Sequence, residues 1–358
     1  MKILFVLHYP PPVHGAAAVG LQIKESKIIN KTFDCTYINL GTSMAIDEIG
    51  KKEIVKLFRY LSIFLKIIWN AIFNRPDLCY FSMTAKCAPF YKDASLALLA
   101  KLFGIKVIYH FHNKGVSLRQ DKYIDDLLYR LIFKNSVVIL LSKNLYPDIQ
   151  KYVLKKQVYY CPNGIPDIEV RHTKYEERKV VEILFLSNLM ESKGIFVLLD
   201  GCKILQSKNL IFKCTIVGGI GDVNEKQFHS KIQEMGLTNC VTYAGEKFGK
   251  EKDLVFANSN IFIHPTLNDC FPLVLLEAMS AGLPIISTFE GGIPDIVEDG
   301  VSGFLVPQKN AVLLAEKLET LIKDPELRKQ MGIAGRHKFE MEFNVDIFEN
   351  RMIEILDT

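Results

Sequence analysis

No two cysteines in this chain stand in a C-x-x-C spacing, and its eight cysteines do not gather with histidine. That argues against a zinc site and against a disulfide framework. Buried, reduced thiols in a cytoplasmic protein are the expectation instead. No G-x-G-x-x-G occurs, which counts against a dinucleotide-binding dehydrogenase. No D-x-D pair of carboxylates for a divalent metal occurs either. Low-complexity tracts, heptad runs and short-period repeats are absent. The first apolar run, Ile3 to Leu7, stops at His8-Tyr9-Pro10; it is too short for a signal peptide and reads as a buried first strand. No aromatic-basic platform or recognition-helix pattern is present, so nucleic acid is not expected as a partner.

What is present is 358 residues, long for one domain, with 49% hydrophobic and 23% charged content, the profile of a globular protein of two domains. Charge is divided unevenly. Residues 1–165 hold 23 Lys and Arg against 11 Asp and Glu, a net +12, and residues 166–358 hold 21 against 29, a net −8. A basic first half suits an anionic partner, either a membrane surface or a diphosphate-linked acceptor.

Strand-like runs at Ile3–Leu7, Cys35–Asn39, Leu78–Ser82, Lys106–His112, Val137–Leu141 and Val158–Cys161 alternate with helix-length amphipathic segments. After a polar linker, Pro166 to Lys179, the alternation restarts with Glu182–Ser187, Phe212–Val217, Val241–Ala244, Ile261–His264, Leu283–Ser287 and Gly303–Val306. This predicts an α/β chain of two doubly wound, Rossmann-like domains with parallel sheets facing a cleft, ligands binding at the carboxyl ends of the strands. The terminal segment Arg336 to Leu356 reads as helical. Glu53 to Phe73 is apolar over about a transmembrane length. Its Lys52, Lys56, Arg59, Lys66 and Asn70 fall on one stripe at helical period, which speaks against a span. The first expectation is an ordinary helix packed on its sheet; an interfacial membrane helix is the alternative.

Chemistry concentrates in 268–306. Asp269 and Glu277 have seven residues between them, across a loop-to-helix junction marked by Phe271-Pro272. Pro272 is tolerated there because the first helical N–H has no intrahelical partner. The N–H groups of Leu273 and Val274 are then available to an anion, aided by the helix dipole. Two carboxylates beside such a helix end suit a ligand with hydroxyls and phosphate, as in a nucleotide-sugar. Gly15 opens the first helix, where backbone can approach a ligand closely. His110 and His112 end a strand and share one face.

This pattern resembles the retaining family 4 glycosyltransferases of the GT-B fold, the glycosyl transferases group 1. Their signature is an acid, seven residues, then Glu and Ala-Met-Ala-x-Gly-x-Pro-Val-Ile; here it is Asp269, then Glu277-Ala278-Met279-Ser280-Ala281-Gly282-Leu283-Pro284-Ile285-Ile286. The likeness extends over nearly the whole chain and is strongest in its second half. The family's first acid is normally Glu, its second glycine after Gly15 is Ala16 here, and its arginine before Leu-x-x-x-Lys-Gly is Asn188.

The resemblance implies domains of 1–165, with a C-terminal helix 339–358 crossing back onto it, and 166–338. It implies a retaining, metal-independent hexosyltransferase with no cofactor beyond its nucleotide-sugar substrate. His112, Asp269 and Lys193 would be catalytic, with His112 and Asp269 on the sugar and Lys193 on the diphosphate. Gly15, Asn188, Gly218, Lys247, Leu273, Val274 and Glu277 would bind the donor, Glu277 on the ribose hydroxyls and the backbone near Lys247 on the base; His110 would stay structural. The expected donor is UDP-linked, and the acceptor a glycan or lipid-diphosphate glycan of bacterial surface polysaccharide assembly, at the cytoplasmic face of the membrane. An epimerase of the same fold and a non-catalytic sugar-nucleotide-binding protein are the rivals.

Overall fold

The computed structural model describes residues 1–11, 14–41, 53–168 and 180–358. Pro12, Val13, Lys52 and the linker stretch 169–179 lie outside the described residues. The chain divides into two units: Met1–Gly164 with Asp346–Thr358, and Ile165–Val345.

The first unit runs β1 (Lys2–Leu7), α1 (Gly15–Glu25), α2 (Lys27–Thr32), β2 (Asp34–Asn39), α3 (Glu53–Trp69), β3 (Leu78–Met83), α4 (Cys87–Leu102), β4 (Lys106–Phe111), α5 (Tyr123–Phe133), β5 (Val137–Leu140) and β6 (Val158–Tyr160). Its strands form one parallel sheet in the order β2-β1-β3-β4-β5-β6. The inner strands are near-continuous apolar runs because both faces of the sheet are covered there; β3 is buried throughout, whereas the edge strand β2 is mostly half-buried.

The second unit runs β7 (Val181–Leu186), α6 (Ile195–Ser207), β8 (Phe212–Val217), α7 (Glu225–Glu234), β9 (Val241–Tyr243), α8 (Gly249–Ala257), β10 (Ile261–His264), α9 (Leu273–Ser280), β11 (Ile285–Thr288), α10 (Ile293–Ile296), β12 (Gly303–Val306), α11 (Ala311–Lys323) and α12 (Pro325–Glu342). Its parallel sheet has the order β12-β11-β10-β7-β8-β9. Ile183, Phe185 and Ile263 of that sheet pack with Leu198 of α6 and Leu314 and Leu318 of α11 in one apolar core.

The last helix, α13 (Val345–Leu356), belongs almost wholly to the first unit. The terminal segment expected as helical is therefore two helices. They part at Phe343, whose carbonyl accepts the Ile165 N–H at 2.9 Å while its ring packs edge-on to Phe271. No proline or glycine marks that break in the sequence.

The segment Glu53–Phe73 packs on its unit as first expected, but through little of its apolar surface. Only a narrow strip of α3, Ile63 and Ile67, is buried, and its broad apolar side is exposed. Among the described residues, no helix is long and apolar enough to cross a membrane. All eight cysteines are free, and Cys87 is the one that is exposed.

Candidate active site

Both sheets reverse direction at an internal strand, and the candidate residues collect there. In the second unit the chain winds outward from β7 through β8 to β9, then returns to the other side of β7 with β10. The loops after β7 and β10 thus diverge at the topological switch point, where open α/β sheets leave a crevice. The β7 loop carries Lys193 and the β10 loop carries Asp269.

These loops are stitched together. Leu267 and Asn268 N–H both donate to the Ser192 carbonyl, at 2.8 and 3.2 Å. Gly194, at φ +80°, turns the chain into α6, and a Cβ there would collide with the Pro265 carbonyl oxygen. Only glycine meets both demands. Lys193 Nζ then reaches Asp269 Oδ2 at 2.7 Å, and His264 Nε2 lies 3.1 Å from the same oxygen. Asp269 Oδ1 accepts the Cys270 N–H. Burial pushes the Asp269 carboxyl up, but His264 and Lys193 outweigh it and bring it down to about 2. An ionised carboxylate can only accept, so the His264 Nε2 carries the proton that faces it.

His264 was not singled out from the sequence. It is buried at the end of β10, five residues before Asp269, a strand-end position that gave a signal only through the loop's later course.

Pro272 caps α9, and Leu273 opens it. Neither the Leu273 nor the Val274 N–H meets an acceptor among the described residues. These two donors and the positive end of the helix dipole form an anion-binding position. Further along the same helix Glu277 is held by Lys252 of α8, Nζ to Oε1 at 2.7 Å. Burial raises the Glu277 carboxyl, Lys252 opposes that and Asp253 adds to it, with a net upward shift. Lys252 is the second residue missed from the sequence, because an exposed-looking helical lysine gives no sign of its partner.

The remaining donor-site candidates surround the same strand ends. Asn188 Oδ1 accepts the Gly219 N–H at 3.2 Å, so its side chain braces the glycine turn after β8. Gly218 sits at φ +147°, donates to the Gly245 carbonyl at 3.0 Å, and has no room for a side chain against Ser187. Lys247 Nζ lies 3.5 Å from Glu251 Oε2.

The first unit holds its own cluster, at the switch point between β1 and β3. Gly15 is the first residue of α1, capped by His14, whose Nδ1 accepts the Ala17 N–H at 3.3 Å. The His14 and His8 rings are 5.7 Å apart, and those of His110 and His112 are 4.2 Å apart. Burial, then His14, lowers His112 to about 4, and burial, Lys92, His14 and His112 lower His8 to about 3. These rings are therefore neutral donors and acceptors near pH 7. His110 is fully buried and bonds Tyr80 at 2.6 Å, a structural arrangement. Among the described residues, no group of three or more His, Cys, Asp or Glu is arranged to hold a metal ion.

Residues 165–338 match the model of the family described as glycosyl transferases group 1. That match lies wholly within the second unit. The amylovoran biosynthesis glycosyltransferase AmsK of Erwinia amylovora is 34% identical over 183 residues, 49% of this chain and 44% of that protein. The capsular polysaccharide biosynthesis glycosyltransferase CapM of Staphylococcus aureus is 28% identical over 174 residues, 49% of this chain and 45% of that protein. The chain thus spans less than half the length of either relative. The crystal structure of HepE of Anabaena, in complex with UDP and glucose, superposes over 100% of both chains with a TM-score of 0.72 at 18% identity. The fold is therefore the GT-B type of that structure, with two Rossmann-like α/β units.

Proposed function

We propose that this protein is a glycosyltransferase that moves a sugar from a nucleotide-diphosphate donor, UDP-linked, to a glycan or lipid-diphosphate glycan in bacterial surface polysaccharide assembly. The observation that carries it is the grouping, within the second unit, of Lys193, the open N–H pair of α9 and the half-buried Glu277 around one switch point. Relatives named for polysaccharide biosynthesis and a structural neighbour solved with UDP support this reading. The first unit, with its basic charge, is proposed to take the acceptor.

In the proposed reaction the sugar–phosphate bond breaks and its electron pair passes to the β-phosphate oxygen. Lys193 and the α9 N–H groups stabilise that growing negative charge. The acceptor hydroxyl attacks the anomeric carbon from the face of departure, giving retention, and its proton passes to the leaving phosphate. Asp269 holds Lys193 in place and is proposed, with the neutral His112, to meet the sugar. Glu277 accepts from the ribose hydroxyls, Gly15 approaches the phosphates, and Asn188, Gly218 and the backbone beside Lys247 shape the base and phosphate pocket.

A fixed lysine and helix end at the leaving group support metal independence. Unchanged transfer in EDTA is the expected result; activity lost in EDTA and restored by Mg²⁺ or Mn²⁺ would refute it.

The first test is the melting temperature of the protein against UDP-, GDP-, ADP- and dTDP-sugars. A ligand that binds only the folded state raises the midpoint. A rise with a UDP-sugar that Glu277→Ala abolishes, followed by transfer to a diphosphate-linked acceptor, is the expected outcome. One observation favours a second reading: Asn188, uncharged, is engaged with Gly219 where the family's pattern has an arginine. A non-catalytic sugar-nucleotide-binding protein would show the melting shift yet leave donor intact over long incubation. An epimerase would isomerise the donor with no acceptor present.

A further inference from the structure

The helices α3, α4 and α5 connect strands that step in one direction across the first sheet, β2 to β3 to β4 to β5. Right-handed crossovers place such helices in a row on one face. The row is packed: Tyr60 of α3 bonds Ser95 of α4 at 2.9 Å, and the rings of Phe90 of α4 and Tyr129 of α5 are 4.5 Å apart.

The outward sides of the two flanking helices are apolar. On α3, Ile54, Phe58, Leu61, Leu65 and Trp69 recur at helical spacing, opposite the buried Ile63 and Ile67; Phe58 is 68% exposed, Leu65 63% and Trp69 60%. On α5, Tyr123, Ile124, Leu127 and Leu131 share a side opposite the buried Tyr129, Ile132 and Phe133; Tyr123 is 84% exposed and Ile124 62%. Between them α4 adds the half-buried Leu98 and Leu99. Side chains of this size, exposed in register on neighbouring helices, form a patch that a monomer rarely leaves to water.

Charge selects the occupant. From Ile54 to Pro76 the chain has Lys56, Arg59, Lys66 and Arg75 and not one acidic residue. The acids of α5 are engaged within the unit, Asp125 by Arg119 and Asp126 by Arg130 and Lys151. Two copies of this face would bring like charges together in an isologous contact. An anionic lipid surface offers the opposite charge and a medium for the apolar side chains. Trp and Tyr are the side chains that favour the headgroup level, and a basic-edged amphipathic helix lies in that plane rather than spanning it.

We propose that α3 and α5 together dock the first unit on an anionic bilayer, with Phe58, Leu65 and Trp69 on one helix and Tyr123, Ile124 and Leu127 on the other entering the headgroup layer. This deepens the proposed function by giving a lipid-linked acceptor a surface to be reached from. It rests on the exposed face alone and not on the reaction.

Trp69 is the only tryptophan in the chain, so its emission reports on α3 directly. The experiment titrates the whole protein with vesicles of phosphatidylcholine, with and without phosphatidylglycerol, following Trp69 emission and co-sedimentation. The expected result is a blue shift and co-sedimentation with the anionic vesicles only, weakened by salt. Phe58→Glu with Leu65→Glu, and separately Ile124→Glu with Leu127→Glu, should each weaken binding at least about tenfold, with far-UV circular dichroism and the unfolding midpoint confirming a folded chain.

Unshifted emission of the wild-type protein on anionic vesicles would overturn the proposal, a readout that needs no variant. Equal binding to neutral vesicles would overturn the charge argument. Unchanged binding of the α5 variant would overturn the two-helix face. Concentration-dependent dimerisation lost in both variants, without vesicle binding, would make the face a protein interface instead. Nucleotide-sugar binding measured in the same samples separates failure here from failure of the transferase reading.

Discussion

Asp269 stands where the family pattern has a longer acid, and its contacts give the shorter side chain a use. Its Oδ2 is taken by Lys193 and His264 and its Oδ1 by a backbone N–H. Asp269→Ala should therefore release Lys193 and lower transfer about 10²–10³-fold, the scale of removing one electrostatic stabiliser. Nucleotide binding should persist, since Glu277 and the α9 end are untouched. Normal transfer by the variant, in a single-turnover assay, would remove Asp269 from the site. Its low carboxyl pKa also bears on stability. A folded value of about 2, below the ordinary 3.8, contributes stability present above the unfolded pKa and lost as pH falls between the two. Glu277 runs the other way. Its raised folded pKa makes its contribution to stability greatest below the unfolded pKa and lost as pH rises through the folded one, while the proposed ribose binding needs the ionised form. Donor affinity should thus decline as pH falls through the raised Glu277 pKa. Lys252→Met, which removes the charge opposing that rise, should move the decline to higher pH and weaken donor binding about 10- to 100-fold, the worth of a charge-assisted hydrogen bond. Calorimetry with a nucleotide-diphosphate sugar across a pH series decides it; an unmoved profile in the variant would leave Lys252 a surface residue. Glu277 was legible because its acidic partner, its spacing and its helix were written in one stretch. Lys252 and His264 were not: Lys252 meets its carboxylate from another helix, and His264 meets Asp269 only through the course of the loop after β10.

At the level of elements, period and punctuation carried most of the information. The twelve strands among the described residues lie within two residues of the runs read from the sequence, because a buried parallel strand is a short apolar run with turn residues at its ends. The break between α12 and α13 was illegible, since it is made by Ile165 bonding back to Phe343 and not by a local breaker. The orientation of α3 was illegible for a similar reason. An amphipathic pattern says which residues share a side, and the partner sheet decides which side is covered. Gly194 shows the opposite case, a local necessity that the Lys-Gly pair announces. Gly194→Ala would force a Cβ into the left-handed region and into the Pro265 carbonyl. Left-handed backbone alone costs about 1–2 kcal/mol for a non-glycine residue, and with the collision added a loss of at least about 2 kcal/mol in urea-induced unfolding is expected. A variant as stable as the parent would mean that the β7 loop re-forms without this turn, and that Lys193 need not sit where it does.

For the molecule as a whole, the two units differ in sign. The first, with its C-terminal helix, holds 24 basic and 15 acidic residues, a net +9, and the second holds 20 and 25, a net −5. Both proposed substrates are anions, yet they are assigned to units of opposite charge. The donor must be gripped by a few local groups, Lys193 and the α9 end, inside a unit whose wider field repels it. On the proposed assignment the acceptor diphosphate is drawn by the wider field of its unit, which acts beyond contact distance and which salt screens, the Debye length being about 10 Å at 0.1 M. Raising sodium chloride from about 0.05 to 0.3 M should therefore raise the KM for a diphosphate-linked acceptor several-fold. The KM for the donor should change far less, since screening weakens the local attraction and the wider repulsion together. Initial rates with each substrate varied in turn, using a water-soluble acceptor so that vesicle binding does not enter, give the two slopes. Parallel rises in both KM values would show that the unit charges do not divide the substrates, and that the basic first unit serves the lipid surface alone.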